Sequence, residues 1–484
     1  MIGRPIDDIS TLVNNCDDRV WKVYADGLTT SINQADSDMG KQLLMKYKPK
    51  NLAELAAWVA AIRPGFASLL DKFLNREEYS TGVQELDDLL SDSYHYMLYQ
   101  ESIMAFLVWL GIEEKGTYDI IKKIAKKKFT QAELANLKKE LKTNWINNMG
   151  NEDHFDENWQ VVQDAAAYSF NASHALSVAI DSLYGAYLKS HYPMEYFTYA
   201  LTFYTEDIKK TANLTDELSS FGIRLEPIKF RKSGAGYTMD KENNVIYKGI
   251  RSIKYMNEEV GNQLYEMRDK HFNNFFELLE VFPGDSRQLE ILIELGFFSE
   301  FGKAKRLKIL AGTYEKFHGK KIIKKDNNPF DIDLINKYTN DITEKQYRFK
   351  DGIPNEMLLE ACENVPDENY PMGYILKKQQ EYLGYIEYKD ENLDSSYYVV
   401  TDFKVFKNKN KPYVTLYRPQ DGKLIKTKVF NGNKFSGEPF YLYSILKIDK
   451  FYTRFKSKLI NGKWVNTEEQ EDVIDDYTVI NRGN

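Results

Sequence analysis

Asn171, Ser173 and His174 stand at the head of a long apolar pattern that runs to Pro193. Asn and Ser are strong helix N-cap residues, and a helix start offers unsatisfied N–H groups at the positive end of its dipole. A histidine in the first turn adds a donor for phosphate oxygens, so the chemistry these residues offer is anion binding. Lys122 and Lys123 could join them from another helix. An ordinary capped helix with a surface or core histidine fits the same residues. No nucleophilic triad, phosphate-binding Gly-rich loop or metal-ligand set is legible, and the only cysteines are Cys16 and Cys362. The residues alone therefore assign no catalytic and no metal-binding position.

The elements that would carry this site are helical. From about Ile9 to Leu218 the apolar residues recur at spacings of three and four: Leu52, Leu55, Val59 and Ile62; Ile103, Phe106, Leu107 and Leu110; Leu176, Ile180, Leu183 and Tyr187. Breaks fall at Arg63-Pro64-Gly65, Gly150-Asn151 and Tyr192-Pro193. From Ile223 to Gly302 short β-like pieces such as NVIYKGI alternate with compact helical segments. The stretch from Lys303 to about Gly373 is charged and poorly periodic and reads as a helical connector plus linker. From Tyr397 onward, short alternating runs separated by Asn, Gly, Lys and Pro have the spacing of a small barrel.

A chain of 484 residues exceeds what one core usually organises, so three or four domains are expected. The absence of a long apolar run and of a signal-peptide pattern at the N-terminus, together with only two cysteines, predicts a protein without membrane attachment in a reducing cytoplasm. The net charge of −7 conceals strong segregation. Lys122 to Lys142 holds eight lysines, including Lys126, Lys127 and Lys128, against two glutamates; Lys303 to Lys325 and Lys404 to Lys434 each hold nine basic residues against one acid. A lysine run alone is usually a solvated face. Three of them in an acidic protein point toward nucleic acid, and in the third Phe403, Phe406, Tyr413, Tyr417 and Phe430 interleave with the lysines, as on a stacking platform beside a phosphate track. Half-buried aromatic strands would look similar.

The segment AYSFNASHALSVAIDSLYGAYLKSHYPMEYF resembles the FNKSHA and LKAHYPAEF elements in the fingers domain of the C-family DNA polymerases, the alpha subunits of bacterial DNA polymerase III. In the family's order, LAAWVAAIRPG is similar to its ALYRPGP element, YHYMLYQESIM to YGVIVYQEQVM, and YDIIKKIAKKK to ADLLRRAMGKKK. NVIYKGIRSIKYMN resembles the family's helix-hairpin-helix, and QQEYLGYI the approach to its OB domain. The likeness covers nearly the whole chain.

This resemblance implies a mainly α, multidomain protein: helical fingers over 1–222, a small mixed α/β helix-hairpin-helix module over 223–302, a helical connector and linker over 303–394, and an all-β OB-fold barrel over 395–484. It implies that Lys122 and Lys123, in place of the family's paired arginines, grip the triphosphate of an incoming dNTP with Asn171, Ser173, His174 and Arg63. Tyr99, Gln100 and Glu101 would support them. Lys126, Lys127, Lys128, Lys254, Lys404, Phe406, Lys407, Tyr413 and Arg418 would touch template-primer DNA. In the family the palm's aspartates hold two magnesium ions for phosphoryl transfer. This sequence begins about where the palm ends, so the resemblance implies a split DNA-directed DNA polymerase, inactive alone, that works with a palm- and PHP-bearing chain.

Departures are equally legible. Lysine gives a point charge where arginine gives a fork. The first residues, DDRVWKVYADGLTTSINQADSDMGKQLL, resemble the start of the family's fingers, which contains GVFQLES; Asp38 replaces the arginine after LES, Ala172 the lysine of FNKSH, and Tyr255, Met256 and Asn257 the first hairpin glycines. A sliding clamp is an open partner, with KQYRF (Gln346, Phe349) and NPFDIDLI (Phe330) as weak candidate motifs. The competing reading is a non-catalytic DNA-binding or regulatory protein derived from a polymerase.

Overall fold

The computed structural model describes residues 1–484 apart from 1, 4, 6, 64–65, 169, 406–409, 461–462 and 483–484. The chain divides into two compact units, Met1–Arg224 and Leu225–Asn484.

The first unit is helical, and most of its buried apolar residues among those described fall into two cores. One surrounds the long helix Ala172–His191, against which Leu52–Ala61 and Asp18–Ala25 pack. Leu52–Ala61 (LAELAAWVAA) buries every residue from Glu54 to Ala61, as a helix apolar on all faces must. The second core is a bundle of Gln100–Trp109, Glu114–Ala125, Gln131–Met149 and Phe155–Tyr168, centred on Phe106, Leu141, Trp145 and Trp159. Local chemistry sets the boundaries. Thr130 and Glu133 form a capping box, Gly150 closes its helix in the left-handed conformation at φ 76°, and Pro193 occupies the first turn of Pro193–Phe203. The chain enters the bundle at Tyr99 and leaves it at Phe170, and a parallel β-bridge between these two residues joins entrance to exit.

The second unit opens with a three-stranded sheet in which Val245–Tyr247 lies between Arg224–Glu226 and Thr238–Asp240. Glu258–Glu266, Phe275–Glu280 and Ser286–Glu294 follow. Gly249 is required here, since a Cβ would lie 2.4 Å from the Gly236 carbonyl carbon.

The stretch that reads as connector and linker is folded. It forms Ala304–Phe317, a sheet of Ile322–Lys324, Gln346–Arg348 and Asp341–Ile342, and the helices Ile332–Tyr338, Asn355–Ala361 and Met372–Tyr382. Leu307, Ile335, Tyr347, Phe349, Met357 and Leu358 share one core with Phe276, Leu292 and Phe298 of the preceding module. Charged residues separate these apolar positions too widely for a periodic signal.

The C-terminal part is all β. Antiparallel strands run in the order Thr478–Asn481, Ile445–Lys447, Tyr397–Lys404, Tyr413–Arg418, Lys423–Lys428 over a core of Val400, Leu416, Phe440, Leu446 and Ile474. A long hairpin, Tyr452–Ile460 with Lys463–Val473, meets the far edge of this sheet. Thr427 Oγ1 donates to the Asp472 carbonyl at 2.7 Å, and Val429 bridges Ile474. The mainly α architecture with a C-terminal β domain follows the sequence expectation.

Candidate nucleotide and nucleic-acid sites

At the head of Ala172–His191, Asn171 is the N-cap, and its Oδ1 accepts the His174 N–H at 3.1 Å. Ser173, the other candidate cap, lies inside the first turn with its side chain exposed. The His174 ring rests on Phe170 with centroids 4.8 Å apart, and on Phe170 also lies the Arg63 guanidinium, 4.4 Å from the ring centroid. Arg63 Nε is buried with no hydrogen-bond partner among the described residues. Arg63, Phe170 and His174 thus form one assembly around an aromatic ring, with cation–π attraction holding the guanidinium in place.

Tyr99, Gln100 and Glu101 lie beside it. The Gln100 N–H donates to the Phe170 carbonyl at 3.0 Å. Glu101 accepts from Asn171 Nδ2 at 2.6 Å through one oxygen and from the Ala172 N–H at 3.0 Å through the other. A carboxylate therefore occupies donors that the sequence offers to phosphate.

Lys122 and Lys123 are exposed in the last turn of Glu114–Ala125. Four residues connect this helix to the end of Gln100–Trp109, against which it packs. Lys122 and Lys123 therefore sit at the end of Glu114–Ala125 remote from that connection. Neither lysine forms an ion pair among the described residues; Lys123 lies over Phe129 at 5.6 Å and Lys122 over Tyr118 at 5.7 Å. Lys126, Lys127 and Lys128 continue the exposed run.

The remaining basic candidates lie in the second unit. Lys254 is exposed, with its N–H on the Tyr382 carbonyl at 2.9 Å. The adjacent Tyr255, where the family has glycine, takes φ 70° and stacks under Arg287 at 3.8 Å. Lys404 pairs with Tyr413 across neighbouring strands, and both line a cleft of about 600 Å³ with Lys426, Lys428 and Lys456. Asp402, Glu471 and Asp472 share this cleft. Arg418 is committed elsewhere: its guanidinium holds Asp421 through two bonds, which keeps that carboxyl well below the usual range. Phe406 and Lys407 lie outside the described residues.

The two clamp-binding candidates differ in exposure. Tyr347 and Phe349 of KQYRF are buried in the core, and Phe330 packs edge-on against Phe317 at 4.7 Å. A recognition peptide must expose the hydrophobic residues it delivers; those of KQYRF are already used for folding, whereas Ile332 of NPFDIDLI is exposed.

Sequence reasoning missed Phe170, although it directly precedes the Asn-x-Ser-His run. It also missed Lys426 and Lys428, whose alternation around Thr427 was a signal, and Lys456, which reaches the cleft only through the hairpin. Among the described residues no group of three or more His, Cys, Asp or Glu could hold a metal ion, so the magnesium that the resemblance implies finds no ligand set here. No helix among them is long and apolar enough to cross a membrane.

The family model of the bacterial DNA polymerase III alpha subunit finger domain matches residues 5–149, and a helix-hairpin-helix motif model matches residues 222–308. Similar curated proteins include DNA polymerase III subunit alpha of Aquifex aeolicus, 29% identical over 88% of this chain and 36% of that relative. The same subunit of Staphylococcus aureus strain MRSA252 is 27% identical over 76% of this chain and 33% of its own length, and that of Campylobacter jejuni 27% over 59% and 25%. The chain spans about a third of the length of the Aquifex and Staphylococcus relatives.

Proposed function

We propose that this chain, which carries the fingers and helix-hairpin-helix portion of a C-family polymerase alpha subunit, supplies the nucleotide seat and DNA-holding surfaces of a DNA-directed DNA polymerase. The observation that carries the reading is the convergence of Arg63, Phe170 and His174 at the start of Ala172–His191; Lys122 and Lys123, exposed in the last turn of Glu114–Ala125, are proposed to join it. In-line nucleotide transfer asks of the protein mainly positioning and charge neutralisation. In this reading Arg63, His174 and the two lysines neutralise the triphosphate, Phe170 keeps Arg63 and His174 in place, and the cleft around Lys404 and Tyr413 follows a single strand. Aspartates outside this sequence, on a palm, hold the magnesium.

Primer extension with this chain and a palm-bearing chain tests the reading. Extension is expected only from the mixture, and Lys122→Ala/Lys123→Ala should lower it by about tenfold or more, the scale of two lost charge-assisted contacts. Undiminished extension by that variant would remove the lysines from the site.

A second reading, a DNA-binding or regulatory protein without nucleotide chemistry, draws on Glu101, whose carboxylate already fills the helix start. It predicts that the lysine variant weakens only salt-sensitive DNA binding.

A further inference from the structure

We infer that Glu101 is a carboxylate plug of the nucleotide seat, holding the donors at the start of Ala172–His191 until a triphosphate displaces it. The inference rests on the reading of this end as a nucleotide seat. Glu101 makes the contacts a phosphate oxygen would make: one oxygen takes a first-turn backbone N–H, that of Ala172, and the other takes the Asn171 amide. The helix does not need Glu101 as its side-chain cap, because Asn171 already accepts the His174 N–H. The carboxylate comes from a separate helix, 70 residues away along the chain, and is exposed.

Glu101 also has a second place to rest. It lies in the first turn of its own helix, Gln100–Trp109, so a carboxylate turned away from Ala172 stays at a positive helix end. Displacement therefore exchanges one favourable environment for another. While Glu101 stays in place, an approaching phosphate meets a like charge within a few ångströms, and its affinity is reduced. The plug makes Glu101 a positioning residue that sets nucleotide affinity.

The test is calorimetric binding of inorganic tripolyphosphate and of a dNTP to the full chain, with thermal unfolding measured in parallel. Wild type should bind weakly, Glu101→Ala about tenfold more tightly, and the isosteric Glu101→Gln in between, as expected when one repulsive charge is removed from a charge-assisted site. Glu101→Gln decides the matter if Glu101→Ala does not fold. Adding Lys122→Ala/Lys123→Ala should weaken binding in every background. If that lysine variant binds more weakly but the Glu101 variants bind no more tightly than wild type, the plug is overturned while the nucleotide reading stands. If no variant binds either probe, the nucleotide reading fails and takes the plug with it.

Discussion

Phe170 decides what the charged residues around it can do. An Arg63 guanidinium without a carboxylate partner would sample many rotamers, whereas on the ring it is held 4.4 Å from the centroid with His174 against the same ring. Each exposed cation–π contact contributes about 0.5–1 kcal/mol. Phe170→Ala should therefore weaken dNTP binding by several-fold to about tenfold, while Phe170→Trp keeps most of it; equilibrium titration of the nucleotide measures both. Equal affinity in Phe170→Ala would separate the ring from the seat. The Asn171 cap was legible because capping is local, whereas the sequence left open whether His174 lies on the surface or in the core. The role of Phe170 was not, because its partners lie both four residues and more than a hundred residues away.

Between elements, Glu294 shows why the charged stretch after Gly302 is not a linker. Its buried carboxylate ends Ser286–Glu294 and accepts from Lys308 Nζ at 2.8 Å on one helix, and from Tyr382 at 3.1 Å, Lys378 at 3.2 Å and Tyr374 on another. Burial alone would raise its pKa, but the bonds from Lys308 and Tyr374 and the nearby lysine charges hold it below the ordinary value. A carboxyl with a lowered native pKa stabilises the fold above its unfolded value, near 4.5, and the contribution disappears as pH falls through the native value. Chemical denaturation should thus show stability dropping below about pH 4.5, with Glu294→Gln flattening that drop. Glu294→Ala should cost about 1–3 kcal/mol, because it removes the acceptor of the Tyr374 and Tyr382 hydroxyls and leaves Lys308 and Lys378 with only Glu290 and Glu381 as carboxylate partners among the described residues. A loss under 1 kcal/mol would show that the node does not bind these helices together.

At the scale of the whole molecule, an acidic chain binds a polyanion only where its charges are sorted. The net charge is −7, and in the cleft of the C-terminal domain Lys428 and Lys456 pair with Glu471 and Glu469, while Lys404 and Lys426 beside Tyr413 have no ion pair among the described residues. Lys404→Ala and Lys426→Ala should each lower the slope of log affinity against log salt for single-stranded DNA by about one, with little dependence on base sequence. Unchanged slopes would place the strand elsewhere. The order of elements, the helical first half, the β-rich end and the basic runs were all determined by the sequence, because periodicity, capping and composition act over a few residues. Only the tertiary structure decided that Glu101 takes the Ala172 N–H, that the apparent linker joins a core, and that Tyr347 and Phe349 of KQYRF are buried. Each of these depends on side chains meeting from distant segments, and neither the spacing nor the type of the residues involved encodes that meeting.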